Sequence, residues 1–252
     1  MTSSASIIIQ ARTGSTRMPQ KVILPFYQGK SIIEILIGRL LSSCNAPLIL
    51  ATTSSPADDA LAEVASRYPV RLFRGPEQNV LQRFILAAGA FDCDTIVRVC
   101  ADNPFLSAAS VNRLINSFAG SDADYMSFAF SGGRPSIKTH FGFFAEITRL
   151  EALKKVAAMT SESLWLEHVT NFLYTHPEIF NVQFLKAPDM IYDRNDIRLT
   201  LDTPEDFALQ QQIFFELSRQ NSTFDIPEIV GYLDRHPELL VNMRGEIEKN
   251  EK

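Results

Sequence analysis

Apolar positions along the chain fall into two alternating rhythms. Ile7-Ile8-Ile9, Leu48-Ile49-Leu50 and Thr95-Ile96-Val97-Arg98-Val99 are compact runs with little polar alternation. Runs of that kind predict strands buried on both faces of a parallel sheet. Between them lie three stretches with helical spacing. The first opens at Ser31 with Glu34 three residues on, the pattern of a capping box. The second has Ser55 before Pro56 at a first helical position. The third, Gln78 to Phe91, carries Val80, Leu81, Phe84, Ile85 and Ala88. Strand and helix in alternation predict an α/β fold with a three-layer, mostly parallel, Rossmann-like sheet.

Past a helix expected over Ser107 to Phe118, the rhythm changes. Ala123 to Phe130 and Thr139 to Phe144 read as strands separated by Gly132-Gly133-Arg134-Pro135, a turn by composition. Helices are expected over Glu146 to Ala158 and Ser163 to Thr175, then strands near Phe180 to Leu185 and Ile197 to Leu201. Thr203-Pro204-Glu205-Asp206 opens another helix with a cap, a proline and acidic first-turn residues. With no repeat and no low-complexity linker, the expected organisation is one domain over residues 1–252. Residues 125–198, approximately, form a substrate or dimer subregion within it.

Composition narrows the class. The 252 residues are 46% hydrophobic and 21% charged, which suits a globular chain and excludes disordered or collagen-like ones. Lys and Arg number 24 against 29 Asp and Glu, a net charge of −5. That sign is wrong for neutralising nucleic-acid phosphates, so no nucleic-acid partner is expected. Cys44, Cys93 and Cys100 are an odd number without a CxxC pair, which predicts reduced thiols in a cytoplasmic protein. No segment approaches the roughly 18 uninterrupted apolar residues of a membrane span, and residues 1–10 lack the basic start of a secretory signal.

Three segments hold candidate chemistry. The first strand runs into Gln10-Ala11-Arg12-Thr13-Gly14-Ser15-Thr16-Arg17-Met18-Pro19-Gln20-Lys21, a polar loop with three cations. Ligands of open α/β sheets bind at the carboxyl ends of strands, and cations with exposed backbone N–H groups suit a polyphosphate. GxGxxG is absent, and Gly29-Lys30-Ser31 only mimics the end of a Walker A motif, so Ser31 reads as a helix cap. The second segment, Cys100-Ala101-Asp102-Asn103-Pro104, places a carboxylate at the end of a central strand, where it suits Mg²⁺ or a turn. In the third, the capping box explains Thr203 and Asp206 and the helix dipole explains Glu205, but Asp202 is left over. Two aspartates at two strand ends would complete one metal site. Within Leu164 to Tyr174, His168 beside Glu167 is a candidate to position a substrate. No GxSxG elbow or Ser–His–Asp order supports covalent hydrolysis.

The first loop resembles the QARxGSxRxPxK signature of the sugar cytidylyltransferases, the group of CMP-sialic acid and CMP-KDO synthetases and of the spore-coat-polysaccharide type. Arg74-Gly75 with Asn79-Val80-Leu81-Gln82-Arg83 resembles the last type's RG…DVLxR, Arg98 to Pro104 its RVTGDNP, Glu167-His168-Val169-Thr170 its REHVT, and Arg198 to Phe207 its RLTxDTPEDF. The resemblance implies a nucleotide-diphospho-sugar transferase fold, a Mg²⁺ cofactor and CTP and a sugar acid as substrates. It further implies a homodimer serving surface-polysaccharide or glycan synthesis. Ala11, Arg12, Gly14, Ser15, Arg17 and Lys21 would hold the triphosphate, Arg74 and Arg83 would lie toward the nucleotide, and Asp102 and Asp202 would bind Mg²⁺. Arg12, Lys21, Asp102 and Asp202 would thus be catalytic, with Gly142, Glu167 and His168 facing the sugar.

The chain departs from the family pattern at Asn79 for Asp, Cys100 for Thr, Ala101 for Gly and Leu166 for Arg, and its His140 to Phe144 segment is unusually aromatic. Phe141 to Phe144 suit a substrate wall or a core equally. Two rival readings stand beside the leading one: a glycosyltransferase on the same fold, and a non-catalytic nucleotide-binding regulatory protein.

Overall fold

The structure, a computed structural model, describes residues 5–221 and 223–249. Its elements run β1 (Ala5–Gln10), β2 (Pro25–Tyr27), β3 (Lys30–Ser31), α1 (Ile32–Ser43), β4 (Leu48–Thr53), α2 (Asp59–Ser66), β5 (Arg71–Gly75), α3 (Val80–Ala90) and β6 (Thr95–Cys100). There follow α4 (Ala108–Ala119), β7 (Tyr125–Ala129), β8 (Glu146–Arg149), α5 (Leu150–Met159), α6 (Ser163–Glu167), α7 (Asn171–Thr175) and β9 (Val182–Lys186). The chain ends through α8 (Asp189–Tyr192), α9 (Pro204–Gln220), α10 (Ile226–Arg235) and α11 (Pro237–Lys249).

Seven strands form one sheet in the order β5-β4-β1-β6-β8-β7-β9, with β2 and β3 as a separate hairpin. Only β8 runs antiparallel to its neighbours. Alternate residues of the central strands feed two apolar layers. Ile7, Ile9, Leu48, Leu50, Val97 and Val99 pack on one face with α1, α4 and α9, while Ile8, Ile49 and Ile96 pack on the other with α3 and α5. Both faces are covered, as the unbroken apolar runs require. Ser31, Asn79, Ser107 and Thr203 stand at the N-caps of α1, α3, α4 and α9. Asn79 Oδ1 accepts from Gln82 N at 2.8 Å, a job that Asn and Asp do equally, which explains that departure from the family pattern.

The expectations fail where tertiary contacts override local pattern. Glu146 to Arg149 is a strand, not the first turn of a helix, because Glu146 lies opposite Arg98 in the β6–β8 ladder and their charges meet there. Thr139 to Phe144 is not a strand: Gly142 has φ +67°, which breaks the pleat, and His140 O accepts from Leu199 N at 2.7 Å and Thr200 N at 3.1 Å. Those bonds hold Ile197 to Leu201 as an irregular segment instead of the expected strand. Ser163 to Thr175 divides into α6 and α7 around His168, because Thr170 turns inward to donate to Glu146 at 2.9 Å. Phe141 and Phe143 are buried and Phe130 stacks on Phe141 at 4.6 Å, so this segment is core and not a substrate wall. Strand β5 and helices α10 and α11 lie outside the expected elements, although Asp225-Ile226-Pro227-Glu228 forms a full capping box.

None of the three cysteines forms a disulfide. Among the described residues no helix is long and apolar enough to cross a membrane.

Candidate active site

Strand β1 connects outward to β4 on one side while β6 lies on its other side, so the order of the sheet reverses at β1. Open α/β sheets leave a crevice at the carboxyl ends of the strands beside such a reversal. A cleft of about 290 Å³ lies there, lined by the loop after β1 and the start of the loop after β6. A larger groove of about 850 Å³ beside α1, α4 and α10 contains none of the residues expected to bind nucleotide, metal or sugar.

The loop after β1 is held from beneath. Thr13 N donates to Asp58 Oδ1 at 2.7 Å, and Thr53 N donates to Asp58 Oδ2 at 3.3 Å. The hydroxyls of both threonines also donate to this carboxylate. Burial pushes the Asp58 carboxyl up, but hydrogen bonds from Thr13 and Thr53 outweigh it and hold it below the usual carboxylate range. Thr13 O in turn accepts from Ser15 N at 2.9 Å and Gln20 N at 2.8 Å, with Gln20 in the left-handed region at φ +62°. Pinning Thr13 therefore shapes the whole turn that displays Ser15, Arg17 and Lys21. Asp58 is a residue of this site that sequence reasoning missed, and its local signal pointed only to the start of α2.

Cations and carboxylates converge above that turn. Lys21 is buried; its Nζ donates to Leu201 O and lies 3.4 Å from Asp102 Oδ2 and 3.6 Å from Asp202 Oδ1. Arg17 Nη2 lies 3.1 Å from the same Asp202 oxygen. Two carboxylates separated by about 100 positions thus share one ammonium. Asp102 and Asp202 offer hard oxygen donors of the kind Mg²⁺ takes, with substrate phosphates and water filling its remaining positions. Two such donors suit a metal brought by its phosphates, and among the described residues no three acidic, imidazole or thiol groups converge as a metal site without them.

Arg12 Nη2 lies 3.4 Å from Glu167 Oε1, which joins the first loop to the end of α6. Arg98 on the cleft wall pairs with Glu146, whose carboxylate also accepts from Tyr125 Oη at 2.6 Å and Thr170 Oγ1 at 2.9 Å. Partial burial pushes the neighbouring His168 imidazole below its ordinary pKa, and the charges of Arg98 and Lys138 add to this against Glu167. A neutral imidazole offers one donor and one acceptor to a hydroxylated ligand.

Other expected residues have different surroundings. Arg74 donates to Thr53 O, Ser55 O and Asp59 Oδ1 at 2.7–2.9 Å, tying β5 to the β4–α2 turn. Arg83 is fully buried and donates to Pro76 O at 2.7 Å, while its Nε and Nη2 have no hydrogen-bond partner among the described residues. Burial brings its guanidinium down to about 10, with Arg12 adding to the effect against Asp58 and Glu77. A Cβ on Gly142 would stand 2.5 Å from Leu199 O, so close backbone packing accounts for that glycine. Gly14 lies beside Glu77.

The chain is similar to several known proteins along nearly its whole length. The chain is 31% identical to the spore coat polysaccharide biosynthesis protein SpsF of Bacillus subtilis, over 92% of this chain and 94% of that one. It is 34% identical to an uncharacterized protein of Methanocaldococcus jannaschii, over 92% and 91% of the two chains. The solved structure of a cytidylyltransferase from Leptospira borgpetersenii superposes with a TM-score of 0.82 at 26% identity, covering 94% of this chain and 96% of that one. A cytidylyltransferase family model matches residues 6–228, from β1 into α10. Because that match includes every loop that builds the cleft, the chain belongs to the cytidylyltransferase family.

Proposed function

We propose that this protein transfers CMP from CTP to the anomeric hydroxyl of a sugar acid, releasing pyrophosphate, with Mg²⁺ as cofactor, for surface-polysaccharide or glycan synthesis. The family resemblance extends this reading to a cytoplasmic homodimer. The observation that carries it is the convergence of Arg17, Lys21, Asp102 and Asp202 at one crevice beside the loop after β1.

In the transfer, the acceptor hydroxyl gives its proton to water and its oxygen forms a bond to the α-phosphorus as the bond from that phosphorus to the bridging oxygen of the β-phosphate breaks, releasing pyrophosphate. Such reactions depend on positioning and charge neutralisation more than on a covalent partner. Arg12, Arg17 and Lys21 neutralise the phosphates, with Ala11, Gly14 and Ser15 supplying the close backbone approach. Carboxylates are among the present partners of these cations, so substrate binding would be an exchange of pairs: phosphates would take the cations, and Asp102 and Asp202 would be left to hold a divalent metal. A bound Mg²⁺ would hold the triphosphate and polarise its α-phosphate. Arg83 is fully buried and does not line the cleft, so it supports the nucleotide side from beneath, through Pro76 O, without touching the nucleotide. Arg74 keeps the nucleotide side rigid, and Glu167, His168 and Gly142 bind acceptor hydroxyls.

The test is pyrophosphate release from each of the four ribonucleoside triphosphates with Mg²⁺, against nonulosonic and octulosonic acids. Release with CTP and one acid is expected. Preference for another triphosphate, or turnover only with neutral sugars, would overturn the reading.

A further inference from the structure

The cap ahead of α9 is larger than a cap needs. Asp206 Oδ2 accepts from Thr203 N at 3.0 Å, which closes the capping box, yet it also accepts from Asp202 N at 2.9 Å and Arg198 Nη2 at 2.7 Å. Asp206 Oδ1 accepts from Arg198 Nε at 2.8 Å. The pair is bidentate, with Arg198 1% and Asp206 3% exposed. Taking a guanidinium and a carboxylate out of water costs more than a helix cap contributes, so capping does not account for the arrangement.

The rest of the guanidinium is also fixed. Arg198 Nη1 lies 2.7 Å from His140 Nδ1. A guanidinium only donates, so Nδ1 accepts and the imidazole carries its proton on Nε2. The remaining contact runs from Nη2 to Asp202 Oδ2 at 3.4 Å, while Asp202 Oδ1 faces Arg17 and Lys21.

We propose that Arg198, Asp206 and His140 are positioning residues for Asp202, which they hold so that one oxygen, Oδ1, is presented to a divalent cation. The inference rests on the reading of Asp202 as a metal ligand. Two effects combine. Contacts at the Asp202 backbone N–H and at Oδ2 restrict rotation of the carboxylate. Electrostatics matters as much: in the exchange of pairs, Arg17 and Lys21 leave Asp202 for phosphates, but Arg198 is buried and stays. Its charge would then compete with the metal for Asp202, were it not already matched by Asp206. Partners that orient and balance a metal ligand typically change metal affinity by about 10–100-fold when removed.

The experiment is a Mn²⁺ titration followed by electron paramagnetic resonance, with saturating CTP and no acceptor. Asp206→Asn and His140→Ala should each weaken Mn²⁺ binding by about tenfold or more. His140→Asn, whose side-chain oxygen can accept from Nη1, should restore most of the loss. Thr203→Ala removes the cap hydroxyl that accepts from Asp206 N at 3.1 Å and spares the clamp, so it should lower the melting temperature while leaving Mn²⁺ affinity unchanged. Unchanged affinity in Asp206→Asn and His140→Ala, with Asp202→Asn impaired, overturns the clamp alone. Loss in every variant in proportion to melting temperature, Thr203→Ala included, reduces it to a structural element. Unchanged affinity in Asp202→Asn overturns the metal reading itself, and the clamp with it. Should Asp206→Asn fail to fold, the contrast between His140→Ala and His140→Asn decides.

Discussion

At the scale of single residues, Asp58 ties stability to the candidate site. Its carboxylate accepts from two threonines whose own segments lie at the ends of adjacent strands, and one of them is 45 positions away. Because the folded-state pKa lies below the ordinary carboxylate value, its contribution is complete above the unfolded value of about 4 and is lost as pH falls through the lower, folded one. Asp58→Asn places an NH₂ group against an N–H or hydroxyl donor, and should cost about 1–3 kcal/mol in urea unfolding at pH 7. The variant should also lose part of the parent's acid sensitivity below about pH 4, and its CTP affinity should fall because the loop from Thr13 to Gln20 loosens. Unfolding curves equal to the parent's at both pH values would remove this role. Arg12 and Asp102, just past β1 and β6, and Asp202, after the apolar run Ile197 to Leu201, are legible in the sequence because an apolar run stops beside them, and Lys21 because it closes the polar loop after β1. Asp58 is not, since nothing local says that a first-turn acid reaches another strand's loop.

Elements reveal a second limit. Glu146-Ile147-Thr148-Arg149 has no turn signal separating it from the helix that follows, so period alone merges the two. What decides the strand is Arg98, buried across the ladder and in need of a countercharge. Glu146→Ala would strand that guanidinium and release Thr170, at a cost of about 3–5 kcal/mol in denaturant unfolding. Glu146→Gln, which keeps acceptors for Tyr125 and Thr170, should cost less; equal stability of parent and Ala variant would show that the pair does not organise β8. The same reasoning explains why residue 142 is a glycine. Gly142→Ala introduces both the contact with Leu199 O and strain at positive φ, about 1–3 kcal/mol for the latter alone. Its melting temperature should drop by several degrees, and the displaced 199–202 backbone should weaken metal binding through Asp202. An unshifted melting point would contradict the packing account. The helices near the end of the chain were legible in principle, since α10 opens with a capping box and a first-turn proline.

For the whole molecule, the alternation of strands and helices foretells β1, β4 and β6, at whose carboxyl ends the cleft lies, but the order around β8 follows from charge pairing that no periodicity encodes. The two sides meet at a contact between Arg12 and Glu167, whose side chains are 34% and 54% exposed. A pair so open to solvent contributes about 0–1 kcal/mol and does not lock the fold. Its weakness makes it exchangeable: a triphosphate that takes Arg12 releases Glu167 and the end of α6. Trp165, the sole tryptophan of the chain, lies in α6 two residues before Glu167 and packs edge-on against Phe172 at 5.2 Å. Its emission should therefore change when CTP binds, before any acceptor is present. Arg12→Ala should abolish the change under conditions where CTP still saturates the site, because the pair is already broken. Raised salt should move the emission of the CTP-free protein toward that of the complex, since exposed pairs are screened. A full response in Arg12→Ala with CTP bound would mean that the nucleotide reaches α6 by another route, with the Arg98–Glu146–Thr170 connection as the next to vary.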